Sequence, residues 1–168
     1  TYNYVAFLLV APPYSLPPSV VGMIFVVYLI GIFASAWIGS IAGRAGRGRM
    51  LSLMIVLMLI GVGLTLLHSL AVIVLGISAV TFGFFGGHSV SSAWVGLRAT
   101  HAKAQAAALY LFSFYVGSSL AGSAGGLFWA WAKWPGVAAF VASMLVLALV
   151  AARVASGASG DAPAPQLL

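Results

Sequence analysis

Acidic side chains are nearly missing from this chain of 168 residues: Asp161 is the one acid, and there is no glutamate. That excludes the paired carboxylates of acid–base hydrolysis and carboxylate metal sites. Cysteine is absent too, which excludes disulfides and thiolate metal centres. No glycine-rich phosphate loop follows a strand-like run, so the usual nucleotide-hydrolysing machinery is not expected. No metal or cofactor is expected. Charge of either sign is scarce, at 5% of residues, against about 25% in an ordinary soluble domain. Arg49 and Arg98 enclose 48 residues without Lys, Arg, Asp or Glu, and another 43 such residues precede Arg44.

What is present is apolar. Hydrophobic residues make up 63% of the chain and the mean hydropathy is +1.16. A helix needs about 20 apolar residues to cross a hydrocarbon core roughly 30 Å thick. The expected fold class is therefore all-α, a polytopic transmembrane helical bundle. The sequence pI near 10.2 does not indicate nucleic acid. The seven basic residues sit at the ends of apolar runs rather than in one patch, which is how topology signals are placed. Membrane lipid is the partner they imply.

Residues 1–10 form an apolar run too short to span a bilayer, stopped by Pro12, Pro13, Pro17 and Pro18. It reads as part of a crossing whose beginning is cut off. Ser19 can cap the helix that follows. Spans are predicted over about 20–42, 50–67, 70–95, 106–132 and 137–152, joined by very short turns, including His68-Ser69 and Lys133-Trp134-Pro135-Gly136. If crossings alternate, Arg44, Arg47, Arg49, Arg98, Lys103 and Arg153 share one side and Lys133 alone lies on the other. Basic residues favour the cytoplasmic side, so the six are expected there. Trp94, Trp129, Trp131 and Trp134 fall near helix ends, as in an interfacial aromatic belt. The membrane unit covers 1–155. Residues 156–168, rich in Gly, Ala and Pro, are expected to form a disordered cytoplasmic tail.

The most informative local pattern lies in the first basic turn, from Gly39 through Arg44, Gly46 and Arg47 to Arg49. Glycines allow a sharp reversal, and arginines complement the partial negative charge of a preceding helix C-terminus. The spacing resembles the G-x-x-x-D-R-x-G-R-R signature of the major facilitator superfamily, with Gly39, Arg44, Gly46 and Arg47 in register. Gly43 stands where that family carries aspartate, so the charge-latching role of the acid is not carried over. Gly48 stands where a second basic residue is usual, and Arg49 follows one position later. These departures fit the weaker second copy of the motif, between the eighth and ninth helices. The resemblance implies the C-terminal six-helix half of the fold, with helix seven partial. The segment from Gly87 and His88 to Trp94, with Lys103 and Gln105 after it, also resembles bacterial drug and metabolite efflux members.

His88 lies well inside a predicted span, and an intramembrane ionisable group is a functional candidate. Histidine ordinarily changes charge near neutral pH. Phe84, Ser91, Ser92 and Val95 share its helical face. His88 can carry a proton or touch substrate, or it can be a neutral packing residue bonded to Ser91, Ser92 or a neighbouring helix. Tyr2, Asn3 and Tyr4 can stack on a solute in a cavity or simply anchor the helix. Tyr110, Phe114 and Tyr115 precede a run of small residues, from Gly117 to Gly126, that suits close helix packing in lipid. Tyr115 joins the candidate binding residues.

The resemblance implies secondary active transport of a small organic solute, through proton-coupled efflux in a bacterial inner membrane. The partner would be the N-terminal half of the same transporter, since the superfamily rocks two halves about a central site. A non-transporting membrane scaffold would show the same spans. It differs in sending the polar residues into tight helix contacts or lipid rather than into a cavity. An intramembrane enzyme is disfavoured, because Ser and His occur with no third group to orient them.

Overall fold

The computed structural model describes residues 2–157, apart from the side chains of Tyr2, Asn3 and Phe25. Every regular element among them is helical: α1 (Tyr2–Val10), α2 (Pro18–Ile24), a 3₁₀ turn (Phe25–Val27), α3 (Tyr28–Ala45), α4 (Arg47–Leu64), α5 (Leu70–Arg98) and α6 (Lys103–Gly157). At nine residues α1 is too short to cross a bilayer. Four helical stretches among the described residues are long and apolar enough to do so: Pro18–Ala45, Arg47–Leu64, Leu70–Arg98 and Lys103–Gly157.

The last of these is a hairpin. Ala132 (φ −137°, ψ 21°) and Lys133 (φ 52°, ψ −139°) leave helical geometry. Phe128 and Phe140 would be about 18 Å apart along a straight helix, yet their rings stack at 4.4 Å. A side chain at Gly136 would collide with the Phe128 carbonyl, so glycine is needed where the arms separate. Lys133-Trp134-Pro135-Gly136 is thus the turn expected from the sequence. The second arm continues through Ser156 and Gly157, past the expected boundary at 155. The rest of the expected tail lies outside the described residues.

Two expectations about the stretch from 18 to 45 change. Ser19 does not cap it. Pro18 opens α2, and the Pro17 carbonyl accepts the Val20 and Val21 amides at 2.9 and 3.2 Å. Proline suits the first helical position, where its missing N–H costs no bond. The span also tightens into the 3₁₀ turn at Phe25–Val27, in a run where Val20, Val21, Val26 and Val27 crowd the preceding turns.

Among the described residues, three small buried clusters replace a single core. Val5, Leu9, Val21, Ile73, Ile77, Trp134 and Val137 form the largest. Ile38, Ala42, Met50, Met54 and Val90 form the second, and Val62, Val80 and Ala138 the third. Large apolar side chains such as Ile32, Leu127 and Trp131 stay outward, at 68–79% exposed. Lipid tails are as apolar as leucine, so burial does not drive these helices together; close packing does. The most extensive interface is α4 against α5. There a Cβ at Gly61 would stand 2.7 Å from the Gly76 carbonyl oxygen, and one at Gly76 would stand 2.6 Å from that of Gly61. The backbones meet where neither helix has a side chain.

Trp134 departs from the aromatic-belt expectation. It is 4% exposed, and its indole N–H donates to the Thr65 carbonyl at 3.0 Å and approaches Thr65 Oγ1 at 3.2 Å. Thr65 ends α4 and donates its own hydroxyl to the Val62 carbonyl at 2.6 Å. A buried indole N–H requires such an acceptor. The α6 hairpin is therefore bolted to the α4 terminus, placing the Thr65 and Lys133 turns at one end of the bundle. The Gly46 turn lies at the other end.

Candidate functional site

The basic turn is compact. Gly46 (φ 87°, ψ 117°) is both the residue that ends α3 and the residue that begins α4, and its carbonyl accepts the Met50 amide at 3.0 Å. That φ is in the region where glycine is favoured. Gly39 has a packing reason as well. A Cβ there would lie 2.7 Å from Ser89 Oγ on α5, and that hydroxyl donates to the Ser35 carbonyl at 3.0 Å. Arg47 folds back, with Nη2 3.4 Å from the place a Cβ at Gly43 would occupy. Arg44 and Arg49 are exposed, and Gly48 is buried.

His88 sits among aromatic rings. Its ring stacks on Phe84 at 6.2 Å and 19°, and meets Phe114 at 4.8 Å and Tyr110 at 5.5 Å. Its Nδ1 is 2.9 Å from the Tyr110 hydroxyl, which also donates over 3.4 Å to the His88 carbonyl. The tautomer decides whether the ring or the phenol donates in the shorter bond. The spacing of His88, Ser91, Trp94, Val95 and Arg98 on α5 turns all five toward one cavity of about 490 Å³. Leu51, Ile55 and Met58 from α4, Tyr110 and Phe114 from the first α6 arm and a wall of alanines from the second complete it. At its arginine end, the Arg98 guanidinium lies over the Trp94 ring, 5.4 Å from the centroid.

A second cavity, of about 430 Å³, takes Tyr4 from α1, Tyr28 from α3, and Ser118 and Gly122 from α6. Phe84 and Met58 line both cavities and stand between them. The Tyr4 hydroxyl donates to the Gly122 carbonyl at 2.7 Å, and its ring presses on Gly125. For Tyr4 the structure shows a helix contact at the edge of a cavity.

The sequence-predicted residues therefore separate. His88 and Ser91 converge on the first cavity and Tyr4 borders the second. Ser92 is exposed on another face of α5. Tyr115 is 64% exposed and only flanks Phe114, at 5.3 Å. The side chains of Tyr2 and Asn3 lie outside the described residues. Tyr28, Trp94 and Arg98 were not read from sequence as cavity residues. Arg98 and Trp94 had looked like a topology charge and a belt residue, but their four-residue spacing, continuing from His88 through Ser91, was a usable signal. No group of three or more potential metal ligands occurs among the described residues.

Several long apolar helices, one folded into a hairpin, around cavities holding a few polar groups are those of a multi-pass membrane protein. Comparison with known proteins agrees. The chain is 48% identical over 148 residues to the MFS-type transporter YybF of Bacillus subtilis, covering 88% of this chain and 37% of that protein. It is 44% identical over 149 residues to the inner membrane transport protein YnfM of Escherichia coli, covering 89% and 36%. A transporter of Buchnera aphidicola from Schizaphis graminum is 36% identical over 149 residues, again covering 89% and 36%. The chain belongs to the major facilitator superfamily, and it spans a little over a third of the length of these relatives. No protein-family model matches it, and no solved structure does.

Proposed function

We propose that the chain forms the C-terminal half of a proton-coupled exporter of small organic solutes, with α1 contributing to helix seven and the second α6 arm serving as helix twelve. Its partner is the N-terminal half of the same transporter. The arginine end faces the cytoplasm of a bacterial cell, and the protein resides in the inner membrane. The transport unit runs at least to Gly157, where the second α6 arm ends.

The observation that carries this reading is the cavity around His88. An ionisable ring inside a span is costly unless it is used or satisfied. Here it meets a phenol from another helix and opens on a space of about 490 Å³. Protonation of His88 would fix Nδ1 as the donor and the Tyr110 hydroxyl as the acceptor, whichever tautomer the neutral ring holds. It would also place a cation among three aromatic faces, an attractive arrangement. The α5–α6 contact thereby gains two states that a proton can select between. Solute would lie against Phe84, Trp94 and Phe114. A scaffold would have no use for an ionisable residue bordering a cavity.

The test uses the full-length transporter in proteoliposomes, with an interior-acid pH gradient followed by a fluorescent dye. Addition of a transported solute should discharge the gradient. His88→Ala should remove the pH dependence of transport, and Tyr110→Phe should shift it, in protein that still purifies folded. A pH profile unchanged in both variants returns His88 to packing. Solute movement with no proton flux removes the coupling.

A further inference from the structure

A third cavity, of about 620 Å³, opens at the arginine end between α4 and the second arm of α6. Gly48, Arg49, Ser52, Leu53 and Val56 line one side, and Arg153, Ser156 and Gly157 the other. Arg49 and Arg153 come from helices far apart in sequence, and each carries a permanent charge. No carboxylate can pair with them from residues 2–157, because the chain's one acid is Asp161. Both are exposed, and two guanidiniums facing one groove with no carboxylate beside them attract an anion.

The helix faces below the arginines say which kind. On α4, Arg49 is followed at four-, three- and four-residue steps by Leu53, Val56 and Ile60, which keeps all four on one face. Leu53 and Ile60 are 58% and 55% exposed. On the second α6 arm the same stagger runs inward from Arg153 to Val150 and Val146, and these valines are 55% and 49% exposed. Each helix therefore presents an arginine at the interface and an uncovered apolar rail leading toward the bilayer centre. A soluble anion has no use for the rails. An amphiphile with a phosphate head and acyl tails uses both parts.

We propose that this groove seats one anionic phospholipid. Its head-group phosphate lies between Arg49 and Arg153 within reach of the Ser52 hydroxyl, and an acyl chain lies along Leu53, Ile60, Val150 and Val146. Arginine suits phosphate because its fork of N–H donors matches the oxygens. Ser156 contributes less, since its hydroxyl already donates to the Ala152 carbonyl at 2.7 Å. The proposal rests on the membrane-spanning reading but not on the solute or the coupling ion, so it stands or falls separately from transport.

The experiment is native mass spectrometry of the full-length transporter, equilibrated with phosphatidylglycerol, phosphatidylcholine or glycerol 3-phosphate. A juxtamembrane arginine favours an anionic lipid by about fivefold. Wild type should therefore prefer phosphatidylglycerol over phosphatidylcholine by about 25-fold, if both arginines act. Arg49→Gln and Arg153→Gln should each cut the preference about fivefold and together abolish it. Arg44→Gln, equal in charge but outside the groove, should leave most of it. The Arg49→Lys, Arg153→Lys protein keeps both charges and should retain a reduced preference, which guards against misfolding in the glutamines. An unchanged preference in the double glutamine variant overturns the site. An equal loss in Arg44→Gln reduces it to general surface potential. Glycerol 3-phosphate binding as tightly as the lipid makes it a free-anion site and overturns the acyl rails. A several-fold rise in lipid binding on Asp161→Asn makes the chain's own carboxylate the occupant.

Discussion

Replacing Trp134 with phenylalanine keeps an aromatic ring at the hairpin turn and deletes its N–H. Two readings of this residue predict different outcomes. A belt tryptophan at the lipid interface would lose a contact with water or head groups, at almost no cost to folding. The observed Trp134 is 4% exposed and donates to the Thr65 carbonyl at 3.0 Å. Polar contacts between membrane helices average about 0.6 kcal/mol and reach about 1.7. A buried carbonyl that loses its donor costs about 1–3 kcal/mol. Thr65 Oγ1 also loses the approach at 3.2 Å, though it keeps its own bond to Val62. The expected loss for Trp134→Phe is therefore about 1–2 kcal/mol. Trp134→Ala also removes packing against Val5, Ile73 and Val137, bringing the loss to about 3–5 kcal/mol. Trp131, 79% exposed, supplies the control. The assay is unfolding of the purified full-length transporter in mixed micelles with rising SDS mole fraction. Midpoints should fall in the order wild type, Trp134→Phe, Trp134→Ala, with Trp131→Phe beside wild type. Coincident midpoints for Trp134→Phe and Trp131→Phe would refute the bolt between α6 and α4.

Five further outcomes are expected. Reporter fusions at Gly48 and Lys103 should score cytoplasmic and one at Lys133 external; a periplasmic Gly48 reverses the orientation. Gly76→Ala should destabilise by about 1–3 kcal/mol, because its Cβ would lie 2.6 Å from the Gly61 carbonyl. In contrast, Gly63→Ala, with nothing within 4 Å, should be neutral or stabilising by up to about 1 kcal/mol in the same unfolding assay. Gly43→Asp should restore a carboxylate beside Arg47, whose Nη2 already stands 3.4 Å from the new Cβ. It should alter transport rate more than stability, and Arg47→Gln should erase the effect; a Gly43→Asp protein with wild-type rates would mean the turn does not move. Tyr110→Phe should shift the pH dependence of transport, as seen in matched pH profiles of the two proteins.

The crossings were legible because one rule governs them. Charge is excluded from hydrocarbon, so Arg44, Arg49, Arg98, Lys103, Lys133 and Arg153 bracket the helices they terminate. The Gly46 reversal was legible for a similar reason: one glycine with positive φ joins two helices with no loop to vary. Side-chain direction was much less legible. A soluble helix announces its inner face by a stripe of apolar residues. Here both faces are apolar, and Trp131, just before the turn, and Trp134, within it, have opposite fates. Tyr110 and Tyr115 show the same ambiguity on one helix: one meets His88 and the other points outward. Tyr4 found its acceptor on Gly122, a pairing no local pattern announces.

The residues that did carry directional information were those that lipid cannot satisfy or that lipid helices use to approach. Gly61 and Gly76 mark a crossing because any side chain there would meet a carbonyl oxygen. The Ser89 hydroxyl marks another by reaching Ser35 on α3. His88 belongs to the same group, since its ring nitrogens need partners that hydrocarbon does not supply, and Tyr110 provides one. The stripe from His88 through Ser91 and Trp94 to Arg98 is therefore to this bundle what an apolar stripe is to a soluble helix. It identifies the face of α5 that borders an aromatic-lined space of about 490 Å³ against α6.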